Sequence, residues 1–405
     1  MPRRASHWHA SDLHGAARLA LDATAGLTDL VEAMHQRIAR LPGPGGAPDG
    51  RTRGVTGLVY RSVRGVTRLV GGSVDALLGQ IVPMLDAPAS TPQRDALVAA
   101  LNGVLGDHLA ASANPLATPM TFQVQGRRLP ADAPGLAAGL AAAIPAARPR
   151  LLLLVHGLCM SDLQWLRAGH DHGAALARDH GHTPVYLRYN SGLHISTNGQ
   201  ALANRLEALL HAWPVPVQEL AILGHSMGGL LARSACHSAA LAGHAWPRHL
   251  KRLVFLGTPH HGAPLERAGH WLDLLLGSMP YAAPLARLGR VRSAGITDLR
   301  HGSLLDDDWA GGVDPAQGPS RHSLPLPQGV ECHALAATTG QFVGDLSDRL
   351  LGDGLVPLDS ALGRHADGCF DLGLDDRHQW VGCGMNHLDL LSRPEVYEQL
   401  LRRLA

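Results

Sequence analysis

The feature that most constrains this chain is a serine between glycines at the junction of a strand and a helix. The apolar run LAIL at 220–223 leads into GHSMG at 224–228, and a helix-like stretch follows at 232–243. A sharp strand-to-helix turn strains its middle residue, and a Cβ at the flanking positions would clash. The pattern predicts that Ser226 is an exposed nucleophile, with a serine cap on a Gly-rich turn as the alternative. The predicted turn residues are Gly224, His225 and Gly228.

Short apolar runs alternate with helical stretches on both sides of this motif. The predicted strands are LLLLV at 151–155, PVYLRY at 184–189, RLVFLG at 252–257 and VECHALAATT at 330–339. Such alternation implies right-handed crossovers and a mostly parallel sheet covered by helices on both faces. The predicted fold class is therefore α/β. A hairpin is also predicted at 120–129, where MTFQVQGRRL alternates around a glycine.

Two parts of the chain depart from this alternation. Apolar residues recur at steps of three and four within 1–115, which predicts an N-terminal helical extension before an α/β domain at 116–405. The alternation also stops between about 263 and 328, which predicts a cap or lid inserted between two core strands. Apolar residues of this insertion either contact an acyl chain or pack on the core. The candidates for the substrate pocket are Trp271, Leu275 and Met279.

Composition and charge limit the possible partners. The 405 residues carry a formal net charge of +1, so no nucleic-acid partner is predicted. Three arginines on one side of a predicted second helix form either a solvated face or a peripheral membrane contact. Neither a signal peptide nor a bilayer-spanning helix is predicted, so a cytoplasmic location is expected, and the sequence indicates no oligomeric state. These arginines are Arg61, Arg64 and Arg68.

The five cysteines are widely spaced, and no two of them form a C-x-x-C pair. This spacing argues against a zinc site and favours free thiols in a reducing compartment. A single bridge between Cys369 and Cys383 stays open as an alternative.

A serine nucleophile needs a base and a carboxylate that orients the base. For a nucleophile on this kind of turn, the acid and then the histidine follow along the chain. Asp353 stands before Gly354 in a loop after the strand at 330–339, as an acid presented on a turn should. We therefore expect Asp353 to be the acid. The alternatives are Asp345, Asp348 and Asp359.

The histidine is expected in a loop before the last helix. His387 follows a Gly-rich loop and precedes Ser392 and Glu395, which resemble the capping box of a terminal helix. His387 is therefore the predicted base, and His378 and His365 are the alternatives.

A tetrahedral intermediate also needs two N–H donors for its oxyanion. The amide of Met227, directly after Ser226, is one candidate. Leu158, in the loop after the strand at 151–155, supplies the other, and His156 is expected to brace that loop.

At these residues the chain resembles a bacterial lipase or esterase of the α/β-hydrolase superfamily, similar to GPI inositol-deacylase-like lipases. The resemblance implies Ser226, Asp353 and His387 as the triad and needs no cofactor. Some lipases of this type hold calcium, but the acidic run at 306–308 is expected to be a solvated loop, and no metal ligands are predicted. The matching segments are VHGLCMSDLQW, YNSGLHISTNG, GHSMGG, FLGTPHHGAPLERAG, GDGLVP and NHLDLLSRPEVY.

The predicted function is that of a serine carboxylesterase or lipase, which hydrolyses ester or lipid substrates through an acyl-enzyme. A thioesterase, an acyltransferase or a polyester hydrolase would use the same triad. A non-catalytic lipid-binding module that retains the fold is the alternative from a different class.

Overall fold

The computed structural model describes most of the chain outside several loops. The described residues are 9–39, 59, 61–63, 65, 75, 91–129, 133–263, 293–310, 321–342 and 352–405. Several predicted residues lie outside this set, so the pocket candidates and the arginine face stay predictions. They are Arg64, Arg68, Trp271, Leu275, Met279, Asp345 and Asp348.

The chain forms two compact units. The first comprises Met1–Arg94 and Leu109–Ala117, and the second comprises Asp95–His108 and Thr118–Ala405. Helix α1 (Ala10–Ala39) belongs to the first unit, and helix α2 (Pro92–Ala111) supplies residues to both. The boundary expected after residue 115 stays a prediction.

Within the first unit, a charged pair joins the start of α1 to the start of α2. Arg94 donates from Nε to Asp12 Oδ2 at 2.7 Å and from Nη2 to Asp12 Oδ1 at 2.6 Å. Such two-point pairing fixes the guanidinium plane relative to the carboxylate.

Among the described residues of the second unit, eight strands form one sheet in the order β2-β1-β4-β3-β5-β6-β7-β8. Strand β1 is antiparallel to β2 and to β4, and every other neighbouring pair is parallel. The predicted hairpin and the mostly parallel α/β fold are confirmed. The strands are β1 (Thr121–Val124), β2 (Arg127–Arg128), β3 (Arg150–Val155), β4 (Thr183–Arg188), β5 (Glu219–His225), β6 (Leu250–Leu256), β7 (Glu331–Thr338) and β8 (Gln379–Cys383).

Helices flank this sheet. The α-helices are α3 (Ala133–Ala143), α4 (His172–Asp179), α5 (Ile195–His211), α6 (Met227–Ala242), α7 (Ala294–His301), α8 (Asp307–Ala310), α9 (Leu358–Leu362) and α10 (Pro394–Arg403). Short 3-10 helices are Asp162–Trp165, Trp246–His249 and Asp389–Leu391.

The central strands are buried on both faces, which explains their continuous apolar runs. In β3, Leu152 and Leu154 pack in one core cluster, whereas Leu151 and Leu153 pack in the other. Successive side chains of a strand point to opposite faces, so an unbroken apolar strand requires cover on both sides of the sheet.

The capping box predicted for the last helix is wrong. Helix α10 is capped by Arg393, without a side-chain hydrogen bond, and Pro394 occupies its first turn. Proline suits that position because its fixed φ is helical and the first N–H groups of a helix have no intrahelical acceptor. The helix therefore begins two residues after Ser392.

All five cysteines are free, as expected, and Cys369 does not bond to Cys383. Within the described parts of the chain, no helix combines the length and the apolarity that crossing a bilayer requires.

Candidate active site

Ser226 occupies a strained turn between β5 and α6. Its backbone has φ +54° and ψ −126°, a region that non-glycine residues rarely adopt. The Ser226 amide donates to Leu256 O at 2.8 Å, which ties the turn to the end of β6. The residue is only 4% exposed, so the prediction of an exposed hydroxyl is wrong. The loop of Gly157 passes directly beside the serine.

The glycines around the serine allow close backbone contacts. A Cβ on Gly224 would lie 2.7 Å from the Cα and N atoms of Gly229. A Cβ on Gly228 would lie 2.2 Å from Val155 O and 2.7 Å from His156 O. These distances are shorter than any side chain tolerates, so both glycines let the turn pack against its surroundings.

A buried histidine–carboxylate pair lies at the same edge of the sheet. His387 follows β8, and its Nδ1 atom is 2.6 Å from Oδ2 of Asp353, which follows β7. Asp353 Oδ1 accepts hydrogen bonds from the amides of Leu355 at 3.0 Å and Val356 at 2.8 Å. The His387 amide also donates to Asp353 O at 3.0 Å. The carboxylate is thus held on both sides and fixes the orientation of the imidazole.

The histidine pair and the serine turn are neighbours. The ring of His225, directly before Ser226, has its centroid 4.7 Å from that of His387. A Cβ on Gly257, after β6, would lie 3.0 Å from two ring atoms of His387. Among the described residues, Ser226 Oγ has no hydrogen bond to His387, and such bonds are often long in ligand-free enzymes.

Two backbone amides near Ser226 have no protein acceptor within the described chain. They belong to Met227, the first residue of α6, and Leu158, in the loop after β3. A Cβ on Gly157 would lie 3.0 Å from Ser226 Cβ, so this loop passes next to the serine. Free amides and the positive end of α6 both favour a developing negative charge here.

His156 braces the loop that carries Leu158. Its Nδ1 atom lies 2.8 Å from Gly157 O, and its ring stacks on Tyr189 with centroids 4.3 Å apart. The Tyr189 hydroxyl donates to His156 O at 2.9 Å. Burial lowers the pKa of His156 to about 3, so the ring is neutral at neutral pH.

His225 has a contact that its place in the motif did not indicate. Its Nε2 atom lies 3.3 Å from His387 O, so it can hold the backbone of the predicted base. Burial, and then the neighbouring His387, lower the pKa of His225 well below its usual range. A neutral ring next to His387 adds no positive charge that would oppose formation of an imidazolium.

The alternative acid and base residues lie apart from this pair. His365 and Asp359 are exposed, and His378 pairs with Asp375 through Nδ1 and Oδ1, 2.6 Å apart. Among the predicted residues that are described, the structure therefore joins Asp353 to His387.

The acidic run at 306–308 is not a fully solvated loop. Asp308 is buried, and its Oδ2 atom accepts from the amides of Leu304 at 2.7 Å and Leu305 at 3.0 Å. Its Oδ1 atom accepts from the His322 amide at 2.8 Å and contacts His322 Nδ1 at 2.9 Å. The solvated-loop prediction is wrong for Asp308, because this carboxylate joins two segments of the chain.

The segment that carries the strand–turn–helix motif is similar to a known protein family. Residues 148–324 match the PGAP1-like alpha/beta domain family. This match begins just before β3 and includes the turn at Ser226, and with the sheet it confirms the resemblance and the fold class predicted from the motifs. No curated protein sequence matches the chain.

Solved structures similar to this chain include three bacterial proteins. The mature lipase BlEst2 of Bacillus licheniformis is 19% identical to this chain, with a TM-score of 0.40. The matched region covers 64% of this chain and 93% of the BlEst2 chain. The thioesterase RedJ of the Streptomyces coelicolor prodiginine pathway is 18% identical, with a TM-score of 0.36. That match covers 64% of this chain and 91% of the RedJ chain. A lipase-esterase related protein of Clostridium acetobutylicum is 13% identical, with a TM-score of 0.35. The match covers 63% of this chain and 94% of the Clostridium protein.

Proposed function

We propose that this chain is a serine carboxylesterase or lipase with Ser226 as nucleophile, His387 as base and Asp353 as orienting acid. The observation that carries the proposal is the buried pair of His387 and Asp353, 2.6 Å apart, beside a serine with φ +54°. A buried carboxylate that holds an imidazole next to a strained serine is the arrangement that activates a hydroxyl for acyl transfer.

The reaction begins when Ser226 Oγ attacks the ester carbonyl carbon and His387 Nε2 takes the hydroxyl proton. Asp353 accepts the Nδ1–H bond, keeps Nε2 free to receive the proton and stabilises the imidazolium. The carbonyl oxygen becomes an oxyanion. His387 then gives its proton to the leaving alcohol as the C–O bond breaks, and an acyl-enzyme remains. Water attacks that ester in the same way and releases the acid.

The oxyanion would be held by the free amides of Leu158 and Met227. The amides belong to a packed loop and a helix terminus, so little reorganisation is needed when charge develops on the oxygen. The loss of one such donor typically raises the barrier by about 3 kcal/mol.

The experiment compares the wild-type chain with Ser226→Ala on p-nitrophenyl esters. We expect kcat to fall by about a million-fold, as loss of a serine nucleophile does. Ser238→Ala is the matched control, since Ser238 is a partly exposed serine on the same helix. A fluorophosphonate probe should label the wild-type and control proteins and leave Ser226→Ala unlabelled. Normal turnover by folded Ser226→Ala protein would refute the assignment.

A panel of ester substrates, tested on the same proteins, would identify the substrate class more narrowly. Esters of increasing chain length, tested above and below their solubility, separate a lipase from an esterase. Acyl thioesters, aliphatic polyesters and added alcohols test the thioesterase, polyester hydrolase and acyltransferase alternatives. A wild-type chain that binds lipid but neither reacts with the probe nor hydrolyses any ester would favour the non-catalytic alternative.

A further inference from the structure

A second cluster of titratable side chains lies at the opposite end of the sheet, where β7 and β8 begin. Glu331 and His333 are two residues apart on β7 and therefore share one face of the strand. The amide of Ala334 donates to His378 O at 2.8 Å, which fixes His378 beside them. One ligand atom from each of Glu331, His333 and His378 lies within 4.8 Å of the others.

His333 is the unusual member of this cluster. It is 3% exposed, yet neither ring nitrogen makes a hydrogen bond. Its Nε2 atom lies 3.3 Å from Glu331 Oε1, close enough for attraction but outside hydrogen-bond geometry. A buried polar atom without a partner destabilises the folded chain, so such an arrangement calls for a ligand.

The position of His333 suits a metal. Both of its ring nitrogens are buried without a partner, and an imidazole nitrogen is the commonest metal ligand in proteins.

His378 is already oriented by a carboxylate. Its Nδ1 atom lies 2.6 Å from Asp375 Oδ1, which leaves Nε2 as the candidate ligand atom. Metal-binding histidines typically donate their second N–H to a carboxylate in this way.

We propose that Glu331, His333 and His378 form a binding site for a zinc ion. Two imidazoles and one carboxylate match the ligand preference of zinc, and a water molecule would complete the tetrahedron. Bonds of about 2.0–2.1 Å place tetrahedral ligand atoms about 3.3 Å apart, so separations of up to 4.8 Å must shorten by at most about 1.5 Å. Glu331 is 49% exposed and can make that movement.

Two arginines set the local charge. Arg252 Nε lies 3.7 Å from Glu331 Oε2, but Arg252 is also paired with Glu219, which offsets its charge. Arg403 donates from Nη2 to Gln379 O at 3.4 Å, one residue after His378, and also opposes a cation. Glu331 therefore supplies the charge that a zinc ion needs here.

The position of the site separates it from ester hydrolysis. Asp353 and His387 follow the carboxyl ends of β7 and β8, whereas this cluster lies at the amino ends of the same strands. The strand from His333 to Thr338 alone spans about 16 Å. Zinc would join β7 to the loop before β8 and stabilise this edge of the sheet, without contact with Ser226.

The test is a calorimetric titration of the chelator-treated full chain with Zn²⁺ alone. We expect one high-affinity site per chain and at least about 100-fold weaker binding in Glu331→Gln and His378→Gln. Asp375→Asn should weaken binding by about 10- to 100-fold, as loss of an orienting carboxylate does. His211→Gln, at an exposed histidine of α5, should bind as the wild type does.

Co²⁺ in place of Zn²⁺ should give the intense visible absorption of a tetrahedral site in the wild type and lose it in His378→Gln. Zinc should also raise the Tm of the wild type and leave that of His378→Gln unchanged. Absence of a one-to-one site would overturn the proposal. So would equal Zn²⁺ affinity in the wild type, Glu331→Gln and His378→Gln, because the ion would then bind at other histidines.

Discussion

The Nδ1 atom of His387 lies 2.6 Å from Oδ2 of Asp353, and both side chains are buried. Asp353 cannot turn away freely, because its other oxygen accepts two backbone amides, from Leu355 and Val356. In the proposed mechanism this geometry favours the tautomer with the proton on Nδ1 and leaves Nε2 to accept a proton.

Replacing Asp353 by Asn should preserve the shape of the pair and reverse the direction of the hydrogen bond between residue 353 and His387. The amide group of Asn would donate to Nδ1 and place the proton on Nε2, which could then no longer accept a proton from Ser226. We expect kcat for ester hydrolysis to fall by about 10⁴-fold in Asp353→Asn. The exposed Asp359→Asn is the control and should keep wild-type activity. A decrease of less than tenfold in Asp353→Asn would contradict the role assigned to this carboxylate.

The sequence predicted those features that depend on local patterns and chain order. Continuous apolar runs identified strands buried on both faces, and the motif placed Ser226 between β5 and α6. Strand β8 was not predicted, because QWVGC is short and only partly buried and so lacks a long apolar run.

Features that depend on tertiary contacts could not be predicted in this way. The contact of His225 with His387 O joins residues 162 positions apart, and no local pattern encodes it. The cluster around His333 likewise forms only when β7 and β8 pair, and its residues have none of the close spacing of a sequence motif. The burial of Asp308 was not predicted, because three consecutive acidic residues are typical of a solvated polar loop.

Gly228→Ala should destabilise the fold as well as the turn. The added Cβ would lie 2.2 Å from Val155 O, a backbone atom that cannot rotate away. We expect the free energy of unfolding to fall by about 3 kcal/mol, at the upper end of the usual effect of overpacking. Denaturant unfolding measures this change. Gly368→Ala, where a Cβ would meet open space, should stay within about 0.5 kcal/mol of the wild type. Equal effects of the two substitutions would mean that the close contact at Gly228 is absent.

Stability should decrease in acid because buried histidines must stay neutral. Burial lowers the pKa of His172 to about 4 from its ordinary 6.5, and its Nε2 atom lies 3.0 Å from Leu390 O. Between pH 6.5 and 4 the unfolded chain binds a proton that the folded chain excludes. The free energy of unfolding therefore falls as the pH falls through this window, by up to about 3 kcal/mol for this group.

His172→Gln removes that titration. Between pH 7 and pH 4, the free energy of unfolding should fall less steeply with decreasing pH in the variant than in the wild type. The difference in slope should correspond to the uptake of up to one proton on unfolding. Identical slopes in the variant and the wild type would show that His172 titrates normally in the folded chain.

Removal of the Asp308 carboxylate should destabilise the segment between α7 and β7. Asp308→Ala would leave the amides of Leu304 and Leu305 and both donors of His322 without their acceptor. Hydrogen bonds to a charged group each contribute about 1.5–3 kcal/mol, and some of the freed donors will find water. We therefore expect the free energy of unfolding to fall by about 3 kcal/mol. Asp307→Ala, at the exposed neighbouring acid, should change it by less than about 0.5 kcal/mol.

Denaturant unfolding of the two alanine variants distinguishes a structural carboxylate from a solvated acidic run. If Asp308 organises the loop, hydrogen exchange at the amides of Leu304 and Leu305 should also quicken in Asp308→Ala and stay unchanged in Asp307→Ala. Similar stability and exchange in both variants would indicate that the three acids are equally solvated, and the contacts of Asp308 would then contribute nothing to the fold.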